Sequence, residues 1–273
     1  MNNFSVDSDL PTVKADILFK IGDYPISNAL LAGFLMTIII AILCLFIFLF
    51  TKRTGTPSKF QIILEIIYSG FLDFVERITT SRKVAESILP IIGTVFIYIG
   101  FSNILTLLPG LDSLTYTLED GTVVPLFRTH TSDFNTTFGI AASMILWTQF
   151  YSIQQVGIIK HFNKYFRIID VVKGFRKGFG TGMISIIEFF VGLLDIISEF
   201  AKSISLSLRL FGNMFAGLML SGIVLGALAI IAPVLLILFG LFSGVLQALV
   251  FGALTASYFG MAAAEEDQSA QAE

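Results

Sequence analysis

The feature that most restricts this chain is the length of its uncharged stretches. No Asp, Glu, Lys or Arg occurs from Tyr24 to Thr51, from Ser87 to Leu111, from Phe134 to Ile159, or from Leu210 to Ala264. An apolar helix needs about 20 residues to cross the roughly 30 Å hydrocarbon core of a bilayer, and each stretch is long enough. Composition agrees: 55% of residues are apolar, 28 are Phe and only 14% are charged, which excludes an ordinary soluble domain. Cys44 is the single cysteine and sits inside the first apolar run, so it is read as an apolar packing residue. Asp7, Asp9 and Asp16 precede that run, where a signal peptide would open with basic residues, so no removed leader is expected. No basic tract of the nucleic-acid-binding kind is present.

Charge distribution sets the expected orientation. Lys52, Arg53, Lys59, Arg77, Arg82 and Lys83 follow the first apolar run, and Lys160, Lys164, Arg167, Lys173, Arg176 and Lys177 follow the third. The positive-inside rule places both groups in the cytoplasm. The segment Pro109 to Asp133 carries Asp112, Glu119, Asp120 and Asp133 against Arg128 alone, so it belongs outside. The expectation is an all-α integral membrane protein with about five membrane-embedded helices. It has an outer N-terminal segment (1–25), spans at 26–51, 87–109 and 134–158, a long, strongly tilted hairpin at 182–263, and a solvated cytoplasmic tail at 264–273. Between 57 and 81, Gln61, Glu65, Ser69, Asp73 and Arg77 recur every fourth residue opposite Phe60, Ile63, Ile67, Phe71 and Phe74. That pattern predicts an amphipathic helix at the cytoplasmic interface, or one packed against a partner or the chain itself.

Chemistry concentrates between Gly182 and Gly222. Glu188, Asp195, Glu199, Lys202, Ser205, Arg209 and Asn213 fall within one sector of about 120° on a helix, and Ser198 joins them. A charge within a membrane costs about 2.5 to 3.5 kcal/mol on the insertion scale, so such residues face protein or water and mark ion pathways. The bland alternative is a set of ion pairs, Glu199 with Lys202 or Asp195 with Lys202, that lock helices together. Arg209 fits it least, because Ser205, Leu206, Gly212 and Asn213 occupy the helical positions from which its own helix would supply a carboxylate. Gly212, Gly217 and Gly222 remove bulk nearby and favour close approach of another helix. Gln247 is the one amide between Pro233 and Ala263, and an antiparallel hairpin can place it beside Arg209. Asn103, Asp133 and Asn135 form a second polar group on the outer side, with a helix N-cap as the alternative role for Asp133. His130 and His161 are read as solvated loop residues.

The run Ser205 to Met214 (SLSLRLFGNM) resembles the signature of subunit a of F-type ATP synthases. Asn103 to Pro109 (NILTLLP), Ser132 to Thr137 (SDFNTT) and Leu246 to Phe251 (LQALVF) are similar to further family segments, in the family's order. The resemblance implies a stator subunit in which Arg209 faces a ring of c subunits, each with a membrane-buried carboxylate. Two offset proton half-channels would reach opposite membrane faces. It implies peripheral-stalk b subunits, the catalytic head and membrane lipids as partners, no cofactor or metal, and no catalysis by this chain alone. A bacterial plasma membrane is the expected location, with an organelle inner membrane as alternative. Where the family usually carries an ionisable pair, this chain has Leu218 and Gly240. Asp195, Glu199 and Glu188 are therefore expected to line a path to the ring, with Lys202 tuning the local field. The competing reading is a secondary transporter with its site at the Arg209 stripe, which predicts inverted repeats and broken helices; neither is seen. A non-transporting assembly subunit and an independent membrane enzyme are further alternatives, the last lacking any nucleophile-base pair or phosphate loop.

Overall fold

The computed structural model describes residues 15–51, 57–105, 114–118, 121–167, 171, 175–176, 178–227 and 232–271. Seven long or medium helices are described: α1 (Asn28–Phe50), α2 (Lys59–Thr79), α3 (Arg82–Leu105), α4 (Phe134–Val156), α5 (Ile158–Phe166), α6 (Phe179–Ala227) and α7 (Ala232–Gln271). β1 (Ile17–Ile21) pairs with β2 (Tyr24–Ser27), and β3 (Thr115–Thr117) with β4 (Val123–Pro125), as two small antiparallel hairpins. Four helical segments, 28–50, 82–105, 179–217 and 234–264, are long and apolar enough to cross a membrane. α4, expected as a further span at 134–158, is as long as α1 but is not among those four; it carries more polar side chains, of which Thr137, Thr148 and Ser152 are buried.

Local chemistry explains the helix ends. Ser27 caps α1 and Ser58 caps α2, each accepting a hydrogen bond from the backbone N–H three residues on. Gly157, at φ 89°, ends α4 and lets the chain turn straight into α5. That reversal carries His161 back against α4, where its Nδ1 lies 3.0 Å from Ser152 Oγ. His161 and His130 are 6% and 3% exposed, so the expectation that both are solvated is corrected. The backbone of α7 continues as helix to Gln271, into the segment expected as the tail.

The core lies where α2, α3, α4 and the hairpin α6–α7 meet. Val75, Ile88, Ile92, Ile99, Leu206, Leu210, Phe251 and Phe259 are fully or almost fully buried there. Lipid tails are as apolar as these side chains, so close packing and dispersion hold the helices together, and small residues matter. A Cβ on Gly100 would touch the Ala248 Cβ at 3.6 Å, and one on Gly252 the Ile92 side chain at 3.6 Å, so α3 and α7 run in near-backbone contact. α2 packs through Leu72, Val75 and Thr79, with Phe71 and Phe74 at the edge of the core, while Phe60, Ile63 and Ile67 stay exposed. Its second half is thus an intramolecular packing helix, and its first half offers an apolar face to its surroundings. α1 is buried only at Asn28, Ala29 and Met36 in its N-terminal half; Cys44 lies exposed on its flank. Asn28 anchors that end, its Nδ2 donating to Asp16 Oδ2 and Pro125 O at 3.2 Å each.

Candidate functional site

α6 spans 49 residues, about 73 Å at 1.5 Å per residue. One side is bound into the bundle: Ser203, Leu206, Ser207 and Leu210 are buried, and Ser207 Oγ meets Thr137 Oγ1 of α4 at 3.3 Å. The adjoining side, with Ser205, Leu208, Arg209 and Gly212, is exposed. A Cβ on Gly212 or Gly217 would meet nothing within 4 Å. Arg209 is therefore exposed beside the hairpin, within electrostatic reach of Tyr258 on α7, and among the described residues no carboxylate pairs with it.

The other charges of the stripe separate into two kinds. Glu199 accepts a 2.7 Å bond from Lys202 Nζ, the ion pair that the bland reading anticipated, and Lys202 also lies 5.3 Å from the centre of the Tyr258 ring on α7. Glu188 is 3.7 Å from Arg167 beyond α5. Asp195 is half-buried on the same stripe. Glu199 and Ser203 also border a cavity of about 510 Å³ between α4, α5 and α6. Its walls are mostly apolar, including Phe138, Leu146, Phe162, Phe166 and Phe200. A space so lined favours hydrocarbon over water.

One hydrogen bond fixes the hairpin register that sequence left open. Ser243 Oγ donates to Asn213 Oδ1 at 2.9 Å. In an antiparallel pair, four residues back along α6 and four forward along α7 stay level, so Arg209 and Gln247 share one height. Gln247 is 6% exposed, and its Nε2 has no hydrogen-bond partner. Asn103 sits one residue along from Ser243, against Gly244: its Nδ2 reaches the Gly244 carbonyl at 3.5 Å and its Oδ1 accepts from Thr131 Oγ1 at 3.1 Å. A polar line thus runs from the 3-10 turn His130–Ser132 through Asn103 to Ser243 and Asn213, one turn from Arg209.

Asp133 caps α4, its Oδ2 accepting from the backbone N–H and the hydroxyl of Thr136 at 3.3 and 3.1 Å. With exposed Asn135, and with Thr136 and Ser27, it lines a cavity of about 480 Å³ beneath the first hairpin. Arg128 is buried close by, and its Nε donates to Ser132 Oγ. Burial pushes the Arg128 guanidinium below its ordinary value, and Asp16 and Asp133 pull it back up. The structure brings Asn213, Asn103 and Gln247 together near Arg209; it leaves Asp133 and Asn135 at the rim of that cavity, and Glu188, Asp195, Glu199 and Lys202 along the other end of α6. Ser243, Thr131 and Tyr258 are neighbours that sequence reasoning missed. Ser243 was findable, since it lies one helical turn before Gln247 on the same face. Thr131 sits in an aperiodic turn and carries no such signal. Among the described residues no group of His, Cys, Asp or Glu could hold a metal ion.

These features define a polytopic all-α membrane protein that turns a lone intramembrane arginine outward from a long helix. Residues 33–260 match the family model described as ATP synthase A chain. The chain is 31% identical over 239 residues to ATP synthase subunit a of Desulforamulus reducens, covering 84% of this chain and 78% of that one. It is 31% identical over 235 residues to the Mycobacterium leprae subunit a, covering 83% of each, and 29% identical over 211 residues to "ATP synthase subunit a 2" of Acaryochloris marina, covering 77% of this chain and 74% of that one. The chain belongs to the ATP synthase subunit a family.

Proposed function

We propose that this chain is the stator of a proton-translocating ATP synthase, with Arg209 facing the c-ring. The observation that carries the reading is the outward, unpaired Arg209 flanked by open space at Gly212. A permanent cation in that position requires a counter-charge from another molecule, and glycine allows a helix to bring one. A ring carboxylate facing lipid stays protonated; one facing the guanidinium ionises, because opposite charge favours the charged form. A unit pair about 4 Å apart at an effective dielectric near 20 attracts by roughly 4 kcal/mol. The membrane field supplies roughly 2.3 kcal/mol per charge per 100 mV, so it can carry the ring past this hold. Arginine does not lose its own proton and repels a passing cation, which closes the direct route between half-channels.

The outer half-channel enters at the cavity under Asp133 and Asn135 and follows Asn103, Ser243 and Asn213 to the level of Arg209 and Gln247. The inner one follows Asp195 and Glu199 on the cytoplasmic length of α6, with Lys202 holding Glu199 and Arg167 holding Glu188. The N-terminus is outside and the C-terminus in the cytoplasm of a bacterial plasma membrane. Peripheral-stalk subunits cover other faces, and nucleotide chemistry belongs to the catalytic head. The test is ATP-driven acidification of inverted vesicles carrying Arg209→Ala, with assembly checked by co-purification of the ring. Loss of pumping with assembly intact is expected; persistent pumping would overturn the reading.

A further inference from the structure

Among the described residues, three buried polar side-chain atoms have no hydrogen-bond partner: His130 Nε2, Ser203 Oγ and Gln247 Nε2. An unpartnered buried polar atom in a native fold calls for an explanation, such as an ordered water or a proton-handling role. Ser203 lies against the apolar cavity, and Gln247 belongs to the arginine's own level. His130 is different: it is titratable, it is 3% exposed, and it stands on the outer side where Leu218 and Gly240 leave no ionisable side chain.

Its position is specific. The His130 ring packs 5.1 Å from that of Tyr98 on α3, and Gly33 brings α1 close enough that a Cβ there would lie 3.5 Å from the His130 Cβ. Tyr98 lines a second cavity of about 370 Å³ between α3 and α4, with Thr94, Ser143 and Thr136. Thr136 also lines the outer cavity of about 480 Å³, and so does Leu30, one turn before Gly33. His130 lines neither cavity itself but packs between Tyr98, which borders one, and the α1 turn after Leu30, which borders the other, and its neighbour Thr131 begins the line to Asn103. We infer that His130 is the titratable relay of the outer half-channel, accepting a proton from vestibule water and releasing one to the inner polar line. This rests on the proton-conducting reading given above.

The exchange balances without another reactant. An N–H bond forms as water delivers a proton to Nε2; an N–H bond then breaks on release, and the ring returns to its neutral state. The charged or titratable groups around it are Tyr98 from α3, Asp133 at the start of α4, and Arg128 and Asp16 from the flanking segments. α1 contributes none, and the outer half of α6 only Arg209 on its outward side. Burial alone pushes the imidazole from 6.5 down to about 4, so it rests neutral and holds no proton permanently.

The experiment uses the whole assembled membrane sector in liposomes, stripped of the catalytic head, with passive proton influx from the outer face driven by a potassium diffusion potential. His130→Gln should assemble and lower conductance by roughly 10²-fold, the lower end of what a positioned proton-transfer group contributes. His130→Ala should be rescued in part by added imidazole, which a merely structural role would not allow. Wild-type conductance with an unchanged pH profile in assembled His130→Gln, or assembled His130→Ala indifferent to imidazole, overturns the relay. If neither variant assembles, wild-type liposomes treated from outside with a histidine-acylating reagent decide: conductance falling in step with His130 modification, mapped by peptide mass, supports it, and undiminished conductance at full modification overturns it. The Arg209→Ala test is separate: if that variant stops pumping while His130→Gln conducts normally, only the relay fails.

Discussion

Gly244→Ala offers a quantitative test of the close contact that carries the polar line. A Cβ at Gly244 would stand 2.9 Å from the Asn103 Cβ, about 1 Å inside a normal carbon-carbon contact of roughly 3.5–4.0 Å. Both atoms are fixed directly to helix backbones, so no rotamer change relieves the overlap and α3 and α7 must part. Overpacking of this kind costs roughly 1–3 kcal/mol. Alanine itself favours a helix over glycine by roughly 1 kcal/mol, so the single variant understates the effect. Gly212→Ala is the control, because it has the same propensity gain and meets nothing within 4 Å in this chain. The difference between the two variants isolates the packing cost. In detergent-solubilised protein, Gly244→Ala should unfold roughly 2–12 °C below Gly212→Ala, using roughly 2–4 °C per kcal/mol for a chain of this size. Conductance should fall as Asn103 is displaced from Thr131 and the Gly244 carbonyl. Equal melting temperatures would refute the near-backbone contact, and with it the route that depends on it. Gly212→Leu adds a contrast: it should fold normally as an isolated chain and, on the proposed function, lose ring-coupled pumping by filling the open space at Gly212.

The buried neutral His130 makes stability fall with acid. Its folded value of about 4 lies below the unfolded 6.5, so the unfolded chain binds the extra proton first. Stability is full above about pH 6.5 and drops by up to about 3 kcal/mol by pH 4, at roughly 1.4 kcal/mol per pH unit; a denaturation series should show His130→Gln lacking that part of the slope. Asp133→Ala should cost about 1 kcal/mol through the lost α4 cap while Asp133→Asn retains it, so a conductance defect in Asp133→Asn reports charge alone. At the other end of α6, Glu199→Gln or Lys202→Met alone should destabilise more than the two together, since each single change leaves one charge unpaired in an apolar setting; additive effects in a double-mutant cycle would show that the 2.7 Å pair is idle.

Much of this architecture is legible in charge spacing. The apolar runs mark α1, α3 and α4, and the four-residue recurrence from Gln61 to Arg77 marks α2, because membrane burial and helix periodicity act on every residue of those segments. The stripe on α6 is legible for the same reason. What escapes are features set by single contacts between distant segments. The height of Gln247 beside Arg209 depends on Ser243 meeting Asn213, and composition cannot fix a helix register. His130 and His161 look solvated because they interrupt polar segments. One is buried by a 3-10 turn wedged against α1 and α3, the other by the reversal at Gly157, and neither turn has a period to read. The two hairpins are short enough that Gly22 and Gly121, both at positive φ, are nearly their whole signature.

The contrast between paired and unpaired charges on α6 separates structure from function, and it yields one more prediction. Glu188 and Glu199 each have a basic partner within 4 Å, so replacing either partner should weaken the fold. Arg209 has none and lies exposed at the level of the membrane-embedded hairpin, where an unpaired arginine costs about 2.5–3.5 kcal/mol on the insertion scale. Arg209→Leu should therefore leave the isolated chain as stable as wild type or more stable in a lipid bilayer, by up to about 3 kcal/mol, while abolishing pumping in the assembled complex. A residue kept for packing cannot behave this way, because its removal would lower stability and activity together. The measurement is reversible unfolding of the isolated chain in bicelles beside vesicle acidification by the complex. If Arg209→Leu destabilises the isolated chain, the arginine has an intrachain partner, and its exposure no longer supports a ring-facing role. If stability rises and pumping stops, the cost of the unpaired charge is one the isolated chain bears for the sake of a partner that only the assembly provides.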